Sequence, residues 1–174
     1  DRVIREECGV TGRYDLTVGY TGPDAQVLDP ATSSRGHSSN ANFSGKITAD
    51  DGLTYGNRYY STDSIDITAS ILTDPSHVGE QGFIVAVGLI GGEFFWLGPD
   101  GKFIRADSVP ENLLAFRSGS LNGNEEIEII KSFVPSDYGI QELVVEFYVG
   151  YGLDADPDEI YFNTTPMNLT IEKK

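Results

Sequence analysis

The sequence predicts an all-β chain: an antiparallel β-sandwich, immunoglobulin-like or jelly-roll-like, preceded by an N-terminal strand on a long tether. Three observations carry that expectation. Apolar residues recur at every second position, as in Ile65, Ile67, Ala69 and Ile71, with Asp66, Thr68 and Ser70 between them; successive side chains of a strand point to opposite faces, so this is a half-buried strand. Turn formers punctuate such segments, with 20 Gly and 8 Pro in 174 residues. No stretch carries the apolar period of an amphipathic helix; Pro110 to Phe116 allows one turn at most.

Taken in order, residues Asp1 to Cys8 read as an exposed leader. Gly12 to Tyr20 (GRYDLTVGY) alternates, with Tyr14, Leu16 and Val18 against Asp15 and Thr17, and predicts a strand. Thr21 to Asn42 is polar and aperiodic; loops of that length are uncommon inside a compact domain and are usually functional, disordered or linkers. Residues 1–42 are thus expected to be a strand and tether, and residues 43–174 the sandwich. The body opens with a short strand at Phe43–Ala49, a loop at Asp50–Asn57, and a brief strand or turn at Arg58–Tyr60.

The stretch from Ser64 to Lys102 is the densest apolar sequence and is expected to be the core. Ile65–Ile71 is one strand, and Asp74-Pro75-Ser76-His77-Val78-Gly79 a turn. Phe83–Ile90, apolar on both faces and rich in β-branched residues, is a strand covered on both sides. Gly91-Gly92 turns into Glu93–Leu97, and Gly98–Gly101 into Lys102–Ile104. The spacing implies one antiparallel meander. Beyond it, Leu113–Ser120 is a candidate strand and Asn122-Gly123 the favoured pair of a tight hairpin. Glu125–Phe133 and Gln141–Tyr151 alternate, the latter with Leu143, Val145, Phe147 and Val149 on one face. An acidic loop, Leu153–Glu159, precedes closing strands at Ile160–Asn163 and Met167–Glu172. The total, about nine to eleven strands with frequent turns, suits a sandwich.

The run from Ile65 to about Phe116 resembles a β-sandwich module of bacterial exported and cell-surface proteins. The residues that carry the resemblance are an alternating strand, Asp74-Pro75-Ser76-His77-Val78-Gly79, a hydrophobic strand, a hairpin with the aromatic first strand Glu93–Leu97, and Leu113 to Phe116. The resemblance covers about a third of the chain and implies a fold and an exported location, with no enzymatic role.

Composition narrows the partners. There are 27 acidic against 12 basic residues, a formal charge of −15. Phosphate contacts need clustered Lys and Arg, so nucleic acid and anionic membrane surfaces are not expected partners. No apolar run reaches the roughly 18 residues of a membrane span. The first residue is Asp1, which suggests a chain processed by removal of a signal peptide and hence a secreted or cell-surface location. The single Cys8 has no partner within the chain; it is an inert cysteine or a thiol for intermolecular pairing.

Few constellations point to chemistry. Asp154, Asp156, Asp158 and Glu159 place carboxylates at alternate positions, as hard cations such as calcium require. The segment has neither the glycine nor the final acid of an EF-hand loop, and a solvated acidic hairpin is the plainer reading. Tyr55, Tyr59 and Tyr60 are candidate ligand aromatics for carbohydrate, against ordinary packing. His37 and His77 are the two histidines, and His77 is expected to bond within its own turn. No nucleophile elbow, zinc spacing or phosphate-binding glycine loop occurs. Glu142 and Glu146 read as the polar face of a strand rather than paired catalytic carboxylates. Asn42, Asn163 and Asn168 fit the N-glycosylation pattern.

These readings point to a non-enzymatic extracellular structural subunit without a cofactor, self-assembling as a homo-oligomer, filament or surface layer. Tyr14, Leu16 and Val18 would form the exchanged strand, because an open sandwich edge can accept one from a neighbour. The alternative is a cell-surface carbohydrate- or calcium-binding module.

Overall fold

A computed structural model of the chain describes residues 26–28, 32–33, 39–108 and 114–174. Fourteen strands and two short 3-10 turns account for its regular structure. They form two sheets. The first runs β1 (Gln26–Leu28), β3 (Asn42–Ala49), β6 (Ile65–Leu72) and β11 (Asn124–Phe133), all antiparallel. The two-residue β4 (Thr54–Tyr55) pairs with β3 beyond β1, on the same edge.

The second sheet is centred on β7 (Gln81–Ile90) and β12 (Leu143–Leu153), antiparallel from Glu146↔Leu89 to Leu153↔Gly82. Each shares its other edge between two strands. β12 pairs with β14 (Met167–Glu172) along its first half and β13 (Asp156–Phe162) along its second. β7 pairs with β10 (Arg117–Ser120) along its first half and β8 (Glu93–Leu97) along its second. β9 (Phe103–Arg105) extends the sheet past β8, β2 (Thr32–Ser33) past β13, and β5 (Arg58–Tyr60) past β14 in a parallel pairing. The fold is the expected all-β sandwich.

The core lies between the sheets. The alternation read at Ile65, Ile67, Ala69 and Ile71 is the burial pattern of β6, and Ile127 and Ile129 repeat it on β11. Val145, Phe147, Val149 and Tyr151 of β12 face them, with Met167, Leu169 and Ile171 of β14. Each large aliphatic side chain withdrawn from water contributes about 1.5–3 kcal/mol, which makes this layer the dominant stabilising term. The sheets approach closely: a Cβ on Gly45 would overlap the Met167 sulfur.

Four expectations need correction. β6 and β7 do not pair; Thr73 to Glu80 carries the chain from one sheet to the other, so the meander is β7–β8–β9 alone. Asn122-Gly123 likewise joins β10 in the second sheet to β11 in the first rather than closing a hairpin. The two crossings lie side by side, with Thr73 N–H on the Gly123 carbonyl at 3.1 Å and Gly79 N–H on Leu121 at 2.8 Å. The stretch Thr21–Asn42 is not wholly a tether, since β1 and β2 fall within it and β3 starts at Asn42. Finally, β13 begins at Asp156, inside the expected acidic loop.

Candidate functional site

β3 lies over β14 and β6 over β12, which sets the sheets in register. By strand order β11 then lies over β7. The second sheet continues past β7 into β8 and β9, whereas among the described residues the first sheet stops at β11. The inner faces of Phe95 on β8 and Phe103 on β9 therefore lack a facing strand, and both stay partly exposed. They line a cleft of about 620 Å³ between the sheets, closed by Val145 and Phe147 of β12 and by Ile129 and Phe133 of β11. The Phe103 and Phe147 rings are 6.2 Å apart across its floor. Lys131 and Glu128, paired at 2.9 Å, stand at its rim.

The cleft is bordered by a free edge. β11 has 10 residues and, among the described residues, pairs only with β6. The other edge strands are shorter: two residues in β2 and β4, three in β1, β5 and β9, four in β10, and the five residues 156–160 of β13 that β2 does not cover. Short edges and edge charges are how sheets avoid unwanted pairing. β11 has the charges, Glu126, Glu128 and Lys131, but not the shortness, and its two register shifts fall between Glu128 and Phe133. The arrangement has the chemistry to take up an extended, apolar-alternating segment: main-chain hydrogen bonds at the edge and a greasy trough beneath.

A second cluster gathers at the other end of the sandwich, around the crossing loop. Asp74, 6% exposed, accepts Ser76 N–H at 2.9 Å and Ser76 Oγ–H at 2.6 Å on one oxygen. Its other oxygen accepts Asn40 N–H at 2.8 Å and Ser39 Oγ–H at 3.2 Å. Desolvation alone would raise its carboxyl, but these four bonds outweigh it and hold the group well below the usual carboxylate range. The Tyr151 hydroxyl accepts Asp74 N–H at 3.3 Å and meets His77 Nδ1 at 2.9 Å. Burial pushes this phenol up. Tyr161 stacks on Tyr151 at 5.2 Å, and burial together with its bond to Glu159 pushes it up to about 12. A carboxylate with its lone pairs already taken and a phenol held protonated are poor general bases. The cluster is a clamp between the crossing loop and the start of β3.

The sequence-predicted sites fare unevenly. Tyr14, Leu16, Val18, Cys8 and His37 lie outside the described residues. Asp156, Asp158 and Glu159 are in strand β13, whose side chains alternate between faces, and Asp154 is in the preceding turn. Among the described residues no three His, Cys, Asp or Glu side chains converge as a metal site would require. Tyr55, Tyr59 and Tyr60 do not share a face either. Tyr59 is buried, donating its hydroxyl to the Ile47 carbonyl at 2.8 Å, while Tyr60 is half exposed. His77 does bond within its turn, through its backbone N–H to Asp74 at 2.8 Å, but its ring reaches Tyr151 on β12. Glu146 sits on the outer face of β12 and accepts the Tyr148 hydroxyl at 3.1 Å. Asn163 is fully buried, its amide holding Val149 N–H at 2.6 Å and the Thr165 carbonyl at 2.7 Å, so it offers no glycan attachment.

Sequence reasoning missed an aromatic strip on the outer face of the second sheet. Tyr148, Val87, Trp96 and Ile104 are cross-strand neighbours in one row, with Phe94 beside them. Phe94 is 50% exposed and Val144, on the same face, 61%. The alternation of Phe94 and Trp96 against Phe95 and Leu97 was its signal: one pair faces out, the other in. Among the described residues no helix is long and apolar enough to cross a membrane. Comparison with known proteins finds no match: no family model, curated protein or solved structure aligns with the chain, so its fold and its sites are read from its own residues.

Proposed function

We propose that this chain is a non-enzymatic, exported structural subunit that assembles with copies of itself by exchanging its N-terminal strand. The observation that carries the reading is β11: a ten-residue edge, unpaired on one side among the described residues, above an apolar cleft. A free edge of that length is an aggregation liability unless something pairs with it. The alternating segment Gly12–Tyr20 is a candidate occupant within the same sequence.

The test is the assembly state of the full chain by electron microscopy and light scattering, beside the variant Leu16→Asp/Val18→Asp. Oligomers or fibres from the first and monomers from the second, with equal melting temperatures, are expected. A monomeric full chain across the micromolar range would sink the reading. Truncation to Asn42 is unsuitable as a control, because Ser39 and Asn40 hold Asp74 and β1 pairs with β3.

The aromatic strip supports a second reading, a carbohydrate-binding surface, since flat aromatic faces pack against sugar rings. A glycan screen in which Trp96→Ala abolishes the signal would favour it.

A further inference from the structure

Taking strand exchange as the function, we infer that the acceptor is the vacant strand position beside β11 and over β8 of a neighbouring copy, where Tyr14, Leu16 and Val18 enter the cleft.

The sheet register shows what is missing. With β11 over β7, one more strand in the first sheet would lie over β8 and cover Phe95 and Phe103. Alternate residues of a strand are about 6.8 Å apart on one face. Gly12–Tyr20 therefore presents three apolar side chains in a row to the cleft, and it nearly matches β11 in length. Its intervening residues, Arg13, Asp15 and Thr17, would continue the charged outer face of Glu126, Glu128 and Lys131.

The position of β1 favours a strand from another copy. β1 pairs with the edge of β3 away from β6, so it stands at the opposite edge of the sheet from β11. Five residues, 21–25, link Tyr20 to β1, and fully extended they bridge at most about 22 Å. The new strand would lie four strand spacings from β1, about 19 Å in a straight line, and the connecting chain must also clear the side chains on the outer face or pass around the end of the sheet. A molecule could fill its own cleft only with this link stretched to nearly its full reach, which makes donation to a neighbour the less strained route. The link is long enough to close a hairpin on β1, which is the rival placement, or to leave for a neighbour. Donation in one direction that does not close gives a filament; reciprocal donation gives a two-fold dimer.

The test uses the full chain with Cys8→Ser and one cysteine on each side, Asp15→Cys or Thr17→Cys with Glu126→Cys or Glu128→Cys, oxidised and run without reductant. The four pairings cover the alternative registers, since cross-strand neighbours on one face come within disulfide reach. Covalent dimers or a ladder of oligomers in at least one pairing, lost in the Leu16→Asp background, is the expected result. A disulfide formed within one chain overturns donation in trans. Absence of any disulfide while the uncrosslinked chain still assembles overturns this acceptor and leaves strand exchange standing at another edge. Absence of assembly removes both.

Discussion

The Asp74 carboxylate accepts the backbone N–H of Asn40 at 2.8 Å, and through that bond the loop crossing between the sheets holds the start of β3. Ala41, the next residue, is fully buried. The crossing loop and the entry to the body are thus one unit, reinforced by Ser39, whose Oγ accepts Ala41 N–H at 3.0 Å.

Asp74→Ala removes a charged acceptor from four donors, two of them backbone. Bonds to charged groups contribute about 1.5–3 kcal/mol each in isolation and overlap when they share one group, so a loss of about 3 kcal/mol is expected. The pH dependence follows from the same bonds. The folded carboxyl is held below its unfolded value of about 3.9, so its contribution is complete above that pH and is lost as pH falls toward the folded value. Melting temperatures from pH 6 to pH 2 should fall below about pH 4 in the parent and less steeply in Asp74→Asn.

Tyr151→Phe leaves Asp74 N–H and His77 Nδ1 without the hydroxyl they share. A buried hydrogen bond lost in this way costs about 1 kcal/mol. Urea unfolding should show a lower midpoint with an unchanged slope.

Gly82 pairs with Leu153 at the start of β7, and a side chain there would meet the Gly152 carbonyl. Backbone in a central strand pair cannot yield as a flexible side chain does. Gly82→Ala is expected to cost about 2 kcal/mol or more. An unchanged melting temperature would contradict this packing.

Glu125 is 2% exposed and is held by the Arg117 guanidinium and by Asn122 N–H at 2.6 Å. Arg117→Ala strips the countercharge from a buried carboxylate, and about 2 kcal/mol of destabilisation is expected. Arg117→Ala/Glu125→Leu should recover part of that loss, because the uncompensated charge is gone. A double-mutant cycle in chemical denaturation reads both values.

Much of the strand pattern was legible in the residues. The alternation of Ile65–Ile71 and of Leu143–Tyr151 set which side chains face the core, because a period of two depends on the chain alone. The all-β class followed from the same periods. The acidic segment before Ile160 misled, because charge suggested a loop where pairing with β12 makes β13 a strand from Asp156. Tyr59 was open between a ligand aromatic and ordinary packing; the structure packs it, its hydroxyl bonding to the Ile47 carbonyl of β3 and the Gly56 carbonyl just after β4, partners that no local pattern announces.

What the sequence by itself determined was where strands lie and which face of each is apolar. The tertiary structure alone decided which sheet each strand joins. Asp74-Pro75 and Asn122-Gly123 both read as turns, and both are turns, yet each carries the chain across to the other sheet. A turn signal bends the backbone without naming its next partner; that choice is made by burying two apolar faces against each other. The cleft belongs to the same level. Among the described residues it exists because β8 and β9 extend one sheet beyond the last strand of the other, a difference in sheet width that no single segment encodes.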